Sequence, residues 1–188
     1  MLEQRIQQQF FESADLKYHA AEVLVRPVAD AVQAVVAGFT AGGRLLVAGS
    51  GPAAGLAQLL VAQLLGRFER DRPGLAALAL PVEAPGELAL ARQVDTLGQP
   101  GDLLLLIDPD GESDALRSAA FAALDKDMTV IALAGRSGSL WREVLGETDV
   151  VVAVPHERRA RVLEAQLLVL HCLCDAIDLQ LLGEQDTA

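Results

Sequence analysis

The chain is poor in aromatic residues, 4% against 52% hydrophobic residues over 188 positions. A core short of rings must be filled by Leu, Val and Ala, as in helices layered on a sheet, and a composition this apolar excludes general disorder. The length fits one domain. Basic residues are also scarce, with 15 Lys and Arg against 26 Asp and Glu and a formal charge of −11. That balance repels phosphate backbones and anionic lipid heads, so no direct binding of nucleic acid or membrane is expected. Cysteine is limited to Cys172 and Cys174. Two apart in a helical pattern, they point in nearly opposite directions and cannot bridge, and they form neither a CxxC redox pair nor a metal knuckle. They read as small buried side chains of a reducing compartment. The opening residues lack a basic start followed by an apolar stretch, and no apolar run approaches ~18 residues, so a cytoplasmic protein without a membrane span is expected.

What the sequence does contain is a set of five short runs rich in Leu, Val, Ile and Ala: 44–48, 75–80, 103–107, 128–133 and 150–154. Each is bounded by Gly, Pro or Asp. Runs apolar at every position are buried on both faces, which predicts a parallel sheet covered on both sides, a three-layer α/β/α arrangement of doubly wound type. Residues 2–38 are helical in character, and Pro27 predicts a break into two helices. On the first, Ile6, Phe10, Ala14 and Tyr18 form an apolar stripe that must pack on the domain or on a sister subunit. Pro52 suits the start of a helix running to about Arg67, and Ser113 the cap of one over 114–124. The last helix, 157–182, is apolar on nearly every face and is covered most easily by another subunit. One domain over 1–188 follows, with N-terminal helices at 1–38, a sheet core at 43–155 and the C-terminal helix.

In an open parallel sheet the ligand crevice lies beyond the carboxyl ends of the strands, here the loops at 49–53 and 108–113. Gly49-Ser-Gly-Pro52 is neither a full dinucleotide fingerprint nor a P-loop. The second loop argues against an anion, because Asp108, Asp110, Glu112 and Asp114 would face it. A divalent cation on these carboxylates is the sharper alternative, but Pro109 and the spacing depart from a calcium loop. His19 and His156 read as exposed, and His171 as a histidine of the apolar last helix. Glu164 lies two turns before His171 on roughly the same face, the one acid/base pair the spacing suggests. Arg67, Arg70 and Arg72 read as an ion-paired or solvated turn.

Several segments together resemble one family: Gly49-Ser-Gly, Gly66-Arg-Phe-Glu-Arg-Asp-Arg-Pro73, Gly101-Asp-Leu-Leu-Leu, Asp127-Met-Thr-Val-Ile-Ala-Leu, Ala160-Arg-Val-Leu-Glu and Cys172-Leu-Cys-Asp-Ala-Ile-Asp178. They are similar to the sugar isomerase (SIS) family of bacterial phosphoheptose isomerases, the last segment in particular to its branch containing the DnaA initiator-associating protein DiaA. The resemblance implies a five-stranded flavodoxin-like sheet with terminal helices packed into a homotetramer. It also implies a zinc site, at positions held here by Leu59, Gln63, Leu163 and His171, and a phosphate loop, where Ala53 and Asp108-Pro-Asp-Gly-Glu-Ser113 stand and only Ser113 keeps its hydroxyl. The segment between Leu80 and Gly101 is shorter than in the family.

These departures lead to the expectation of a catalytically inactive scaffold with no catalytic residue, no metal and no cofactor. Its partner would be a DnaA-type initiator, bound through Leu181 and Leu182, with assembly at the replication origin promoted by four equivalent patches on one body. Ser50, Ala53, Asp108, Asp110, Ser113 and His171 would be the remains of the ligand pocket. The competing expectations are a phosphosugar isomerase of the sedoheptulose 7-phosphate type, with His171 and Glu164 as its acid/base pair, and a small-molecule-binding module.

Overall fold

A computed structural model describes residues 1–81, 88–136 and 138–184. The five apolar runs form five parallel strands, β1 (Leu45–Gly49), β2 (Ala77–Ala79), β3 (Leu103–Asp108), β4 (Thr129–Ala134) and β5 (Val150–Ala153), in the order β2-β1-β3-β4-β5. Leu45 stands beside Leu103 and Leu103 beside Thr129. Alternation within each strand then feeds two separate cores. Val47, Leu105, Ile107 and Leu133 point to one face, under α1 (Leu2–Thr40), α2 (Ala53–Leu65) and α6 (Arg159–Leu182). Leu46, Leu104, Leu106 and Val130 point to the other, under α3 (Ala89–Leu97), α4 (Asp114–Leu124) and α5 (Ser139–Val144). The expected three-layer α/β/α sheet is the fold observed. The part of the short 80–101 segment at 82–87 lies outside the described residues.

The N-terminal region departs from the expectation of two helices. α1 runs unbroken through Pro27. The ring removes a backbone donor and costs about 3 kcal/mol in a helix interior, but Leu24, Ala31, Val32 and Val35 on either side of it are buried in the core that α6 completes. At about 1.5–3 kcal/mol for each large side chain buried, that packing outweighs the defect. The stripe at Ile6, Phe10 and Tyr18 finds no cover in the chain, and Phe10 is 72% exposed. α1 also carries an apolar window with a mean hydropathy of 1.4, long and apolar enough to cross a membrane by length and composition. The count of uninterrupted apolar runs does not show it; in this α/β fold α1 packs on α6.

Two features fix the loops at the carboxyl edge of the sheet. A side chain on Gly49 would collide with the backbone of Ala53, so β1 can hand over to α2 this tightly only through glycine. Ser113 caps α4, its Oγ accepting the Leu116 N–H at 3.3 Å.

Candidate functional site

The strand order reverses between β1 and β3, the switch point at which an open α/β sheet forms its crevice. Ser50 and Asp108 meet there: the Ser50 hydroxyl donates to Asp108 Oδ1 at 3.1 Å, and the Ser113 N–H donates to Asp108 Oδ2 at 3.3 Å. Asp108 is buried. Ala53 is buried at the first turn of α2, where it lines the crevice with a methyl group only. Asp110 forms a two-pronged ion pair with Arg159 at the start of α6, and Asp114 pairs with Arg117. The expectation of four carboxylates set against an anion is therefore not met. Asp108 is held by donors, Asp110 and Asp114 are matched by guanidinium groups, and Glu112 is exposed. Two of the four carboxylates are thereby matched by guanidinium groups at the α4 N-terminus.

His171 lies elsewhere. It is half-buried on α6, its ring 5.7 Å from that of Phe68, which follows the end of α2. One turn on, the Cys174 thiol donates to Gln63 Oε1 at 3.4 Å. The seam between α2 and α6 is closed by the arginine turn. Arg72 pairs with Asp178 at 2.5 Å and donates to the Leu64 and Gln63 carbonyls at 2.8 and 3.0 Å. Arg70 donates to the Asp178 and Gly183 carbonyls at the end of α6, and Arg67 pairs with Asp71 at the surface. The motif Arg-Phe-Glu-Arg-Asp-Arg thus caps two helices at once, and its partner Asp178 is too remote in sequence to be read from spacing.

Burial, reinforced by Asp178 and opposed by Arg72, pushes the Cys174 thiol up to about 12. Cys172, exposed, is raised by partial burial and then by Asp175. In the unfolded chain a thiol ionises near ~8.5. The contribution of Cys174 to stability is therefore complete below that pH and is lost as pH rises toward 12, because the unfolded state releases a proton the native state keeps. Denaturant unfolding is expected to show lower stability at pH 10 than at pH 7.5, and Cys174→Ala to reduce the difference. Equal stabilities of the wild type at the two pH values would contradict this.

The structure brings Ser50, Ala53, Asp108, Asp110 and Ser113 together but sets His171 apart. Twelve residues of α6, about 18 Å, separate His171 from Arg159 at the crevice. Nor are His171 and Glu164 a hydrogen-bonded pair. Glu164 accepts from the Ser13 hydroxyl at 2.6 Å and pairs with Arg161 at 2.7 Å, turned toward α1.

The zinc implied by the resemblance does not fit these donors. Leu59 and Leu163 have no lone pair, the Gln63 oxygen is engaged by a thiol, and that thiol stays neutral. A zinc site needs three or four ligands, and among the described residues no three His, Cys, Asp or Glu side chains converge.

Comparison with known proteins decides the family. The SIS domain model matches residues 9–135. The chain belongs to the SIS-domain family. It is 56% identical over 196 residues to the phosphoheptose isomerase of Methylibium petroleiphilum, covering 99% of this chain and 98% of that one. Among solved structures, the phosphoheptose isomerase of Neisseria gonorrhoeae superposes with a TM-score of 0.87 at 34% identity, over 95% of this chain and 99% of that one. That of Francisella tularensis gives 0.85 at 33%, over 95% and 98%.

These similarities overturn the expectation of an inactive, DnaA-binding scaffold of the DiaA branch. Relatives up to 56% identical along the whole chain carry the name of an enzyme, the isomerase alternative. The replaced residues Leu59, Gln63 and Leu163 show only which groups are absent from three positions, not that the chemistry is lost. Leu181 and Leu182, expected to bind the initiator, end α6: Leu181 packs on the core and Leu182 is 47% exposed.

Proposed function

We propose that this SIS domain is a cytoplasmic phosphosugar isomerase of the phosphoheptose type that acts as a homotetramer. The observation that carries the reading is the 56% identity over 99% of the chain to a phosphoheptose isomerase. The crevice is compatible with it, because Asp110 is paired with Arg159 and the N-terminus of α4 opens there. Aldose–ketose isomerisation removes a proton from the carbon beside the carbonyl, gives an enediol, and returns a proton to the neighbouring carbon. An imidazole can carry both transfers, and His171 lies half-buried on α6 with its ring beside that of Phe68.

His171 follows Arg159, the partner of Asp110, by twelve residues of α6. In the proposed homotetramer the imidazole reaches the sugar from another copy. An apolar groove of about 440 Å³ between α1 and α6, lined by Leu24, Val28, Leu168 and Val169, together with exposed Phe10, Phe11 and Tyr18, supports assembly through these helices. Both cysteines are free, as in a reducing compartment.

The test is incubation with sedoheptulose 7-phosphate in D2O, followed by NMR. Deuterium should enter the carbon beside the carbonyl, and His171→Ala should slow this by at least ~100-fold. No exchange on this or on any five- to seven-carbon sugar phosphate would end the reading.

A further inference from the structure

We infer that the α2–α6 seam works without a resident metal ion, and that the Gln63 amide takes the metal's place as the group that polarises the substrate carbonyl. The second half rests on the isomerase reading; the first does not. The Cys174 thiol donates to Gln63 Oε1 at 3.4 Å, which turns the amide oxygen into the protein and its NH2 group the other way. Because burial keeps that thiol protonated, it remains a donor throughout the physiological range. The amide is thereby fixed as a hydrogen-bond donor and withdrawn as a metal ligand. The main-chain carbonyl of Gln63 is held as well, accepting from Arg72 at 3.0 Å.

The remaining groups around the seam do not assemble a ligand set: among the described residues no three His, Cys, Asp or Glu side chains converge. The His171 ring packs against that of Phe68. Asp178 is already paired with Arg72, and Arg70 donates to its backbone carbonyl. Glu164 is bound to Ser13 and Arg161.

The chemistry closes without a metal. As the imidazole takes the C–H proton, that bond's electron pair becomes the carbon–carbon double bond of the enediolate. The carbonyl oxygen gains negative charge and is met by the Gln63 N–H. A proton passes from the neighbouring hydroxyl to that oxygen, the imidazolium protonates the former carbonyl carbon, and the C=O bond re-forms at its neighbour, so no electron and no proton is gained or lost overall. A donor aimed at developing oxyanion charge contributes about 10²–10³ in rate.

The experiment uses the full chain expressed in zinc-supplemented medium. Metal content is measured after gel filtration, and deuterium exchange with and without chelator. Expected are substoichiometric zinc, exchange that ignores chelator, and a Gln63→Leu variant whose kcat falls about 100-fold while KM stays near that of the wild type. The triple change Leu59→His, Gln63→Glu and Leu163→Gln should acquire a stoichiometric zinc, which shows that donors alone are missing. A tightly held zinc in the wild type, or exchange abolished by chelator and restored by zinc, overturns the inference and leaves the isomerase reading standing. Full kcat in Gln63→Leu overturns the amide's role. If no sugar phosphate exchanges with or without zinc, the isomerase reading fails and takes the amide's role with it, and zinc content alone then decides the metal-free seam.

Discussion

Replacing Arg72 with Ala is expected to lower the unfolding free energy by about 3–5 kcal/mol, a large share of the 5–15 kcal/mol typical of a domain. The side chains of Arg72 and Asp178 are only 1% and 4% exposed, and they pair at 2.5 Å. Truncating the arginine leaves a carboxylate buried with no counter-charge, the situation in which a buried pair is most costly to break. It also removes a donor from the Gln63 and Leu64 carbonyls near the end of α2, of which Leu64 keeps the Leu75 N–H. Lysine should not rescue the fold, because one ammonium cannot reproduce a fork that serves a carboxylate and two carbonyls. The double change Arg72→Met with Asp178→Leu should recover most of the loss, since it removes both charges and keeps the volume. Urea unfolding of the three variants checks this. A loss below 1 kcal/mol in Arg72→Ala would mean that water reaches the pair and that the turn does not lock α2 to α6.

The contrast between the strands and this turn shows what the sequence made legible. The strands are short, buried on both faces and bounded by Gly, Pro or Asp, so burial wrote itself into each as an unbroken apolar run, and their limits are met within about two residues. Ser113 announced α4 because capping is local. Pairings between distant segments left no such mark. Nothing near Arg72 names Asp178, and nothing near Asp110 names Arg159, so four carboxylates in one loop read as a repulsive surface although two of them are matched by arginines and a third is held by donors. Pro27 failed as a breaker because local propensity was outweighed by packing that only the tertiary fold reveals.

The site was legible in parts but not in its connections. Ser50, Asp108 and Ser113 meet at the switch point, where the doubly wound pattern placed them. The resemblance groups His171 with them, and the fold sets it on α6 beside Phe68, twelve residues after Arg159. Leu59, Gln63 and Leu163 were correctly seen to lack zinc donors, and the error came in reading missing donors as missing chemistry. Gln63 still has an N–H to give, and its orientation is set by Cys174, a residue read only as small and buried.

Co-expressing two inactive variants should restore activity if the proposed site joins two copies. Ser113→Asp keeps α4 capped, because Asp is as good a cap as Ser, and sets a carboxylate against the incoming phosphate. Like charges ~4 Å apart cost about 4 kcal/mol at an effective dielectric of 20, enough to suppress turnover by roughly 100-fold or more. His171→Ala removes the base by a comparable factor. In an evenly mixed oligomer, about one site in four combines an intact crevice from a His171→Ala chain with an intact imidazole from a Ser113→Asp chain, so about a quarter of wild-type exchange should return. Each variant expressed alone should stay inactive while light scattering reports the wild-type assembly. Recovery requires the two residues to come from different chains, because neither variant carries both. If the mixed oligomer stays as inactive as its parents, crevice and imidazole do not meet across a subunit boundary. His171 acting as a base across a subunit boundary would then be ruled out.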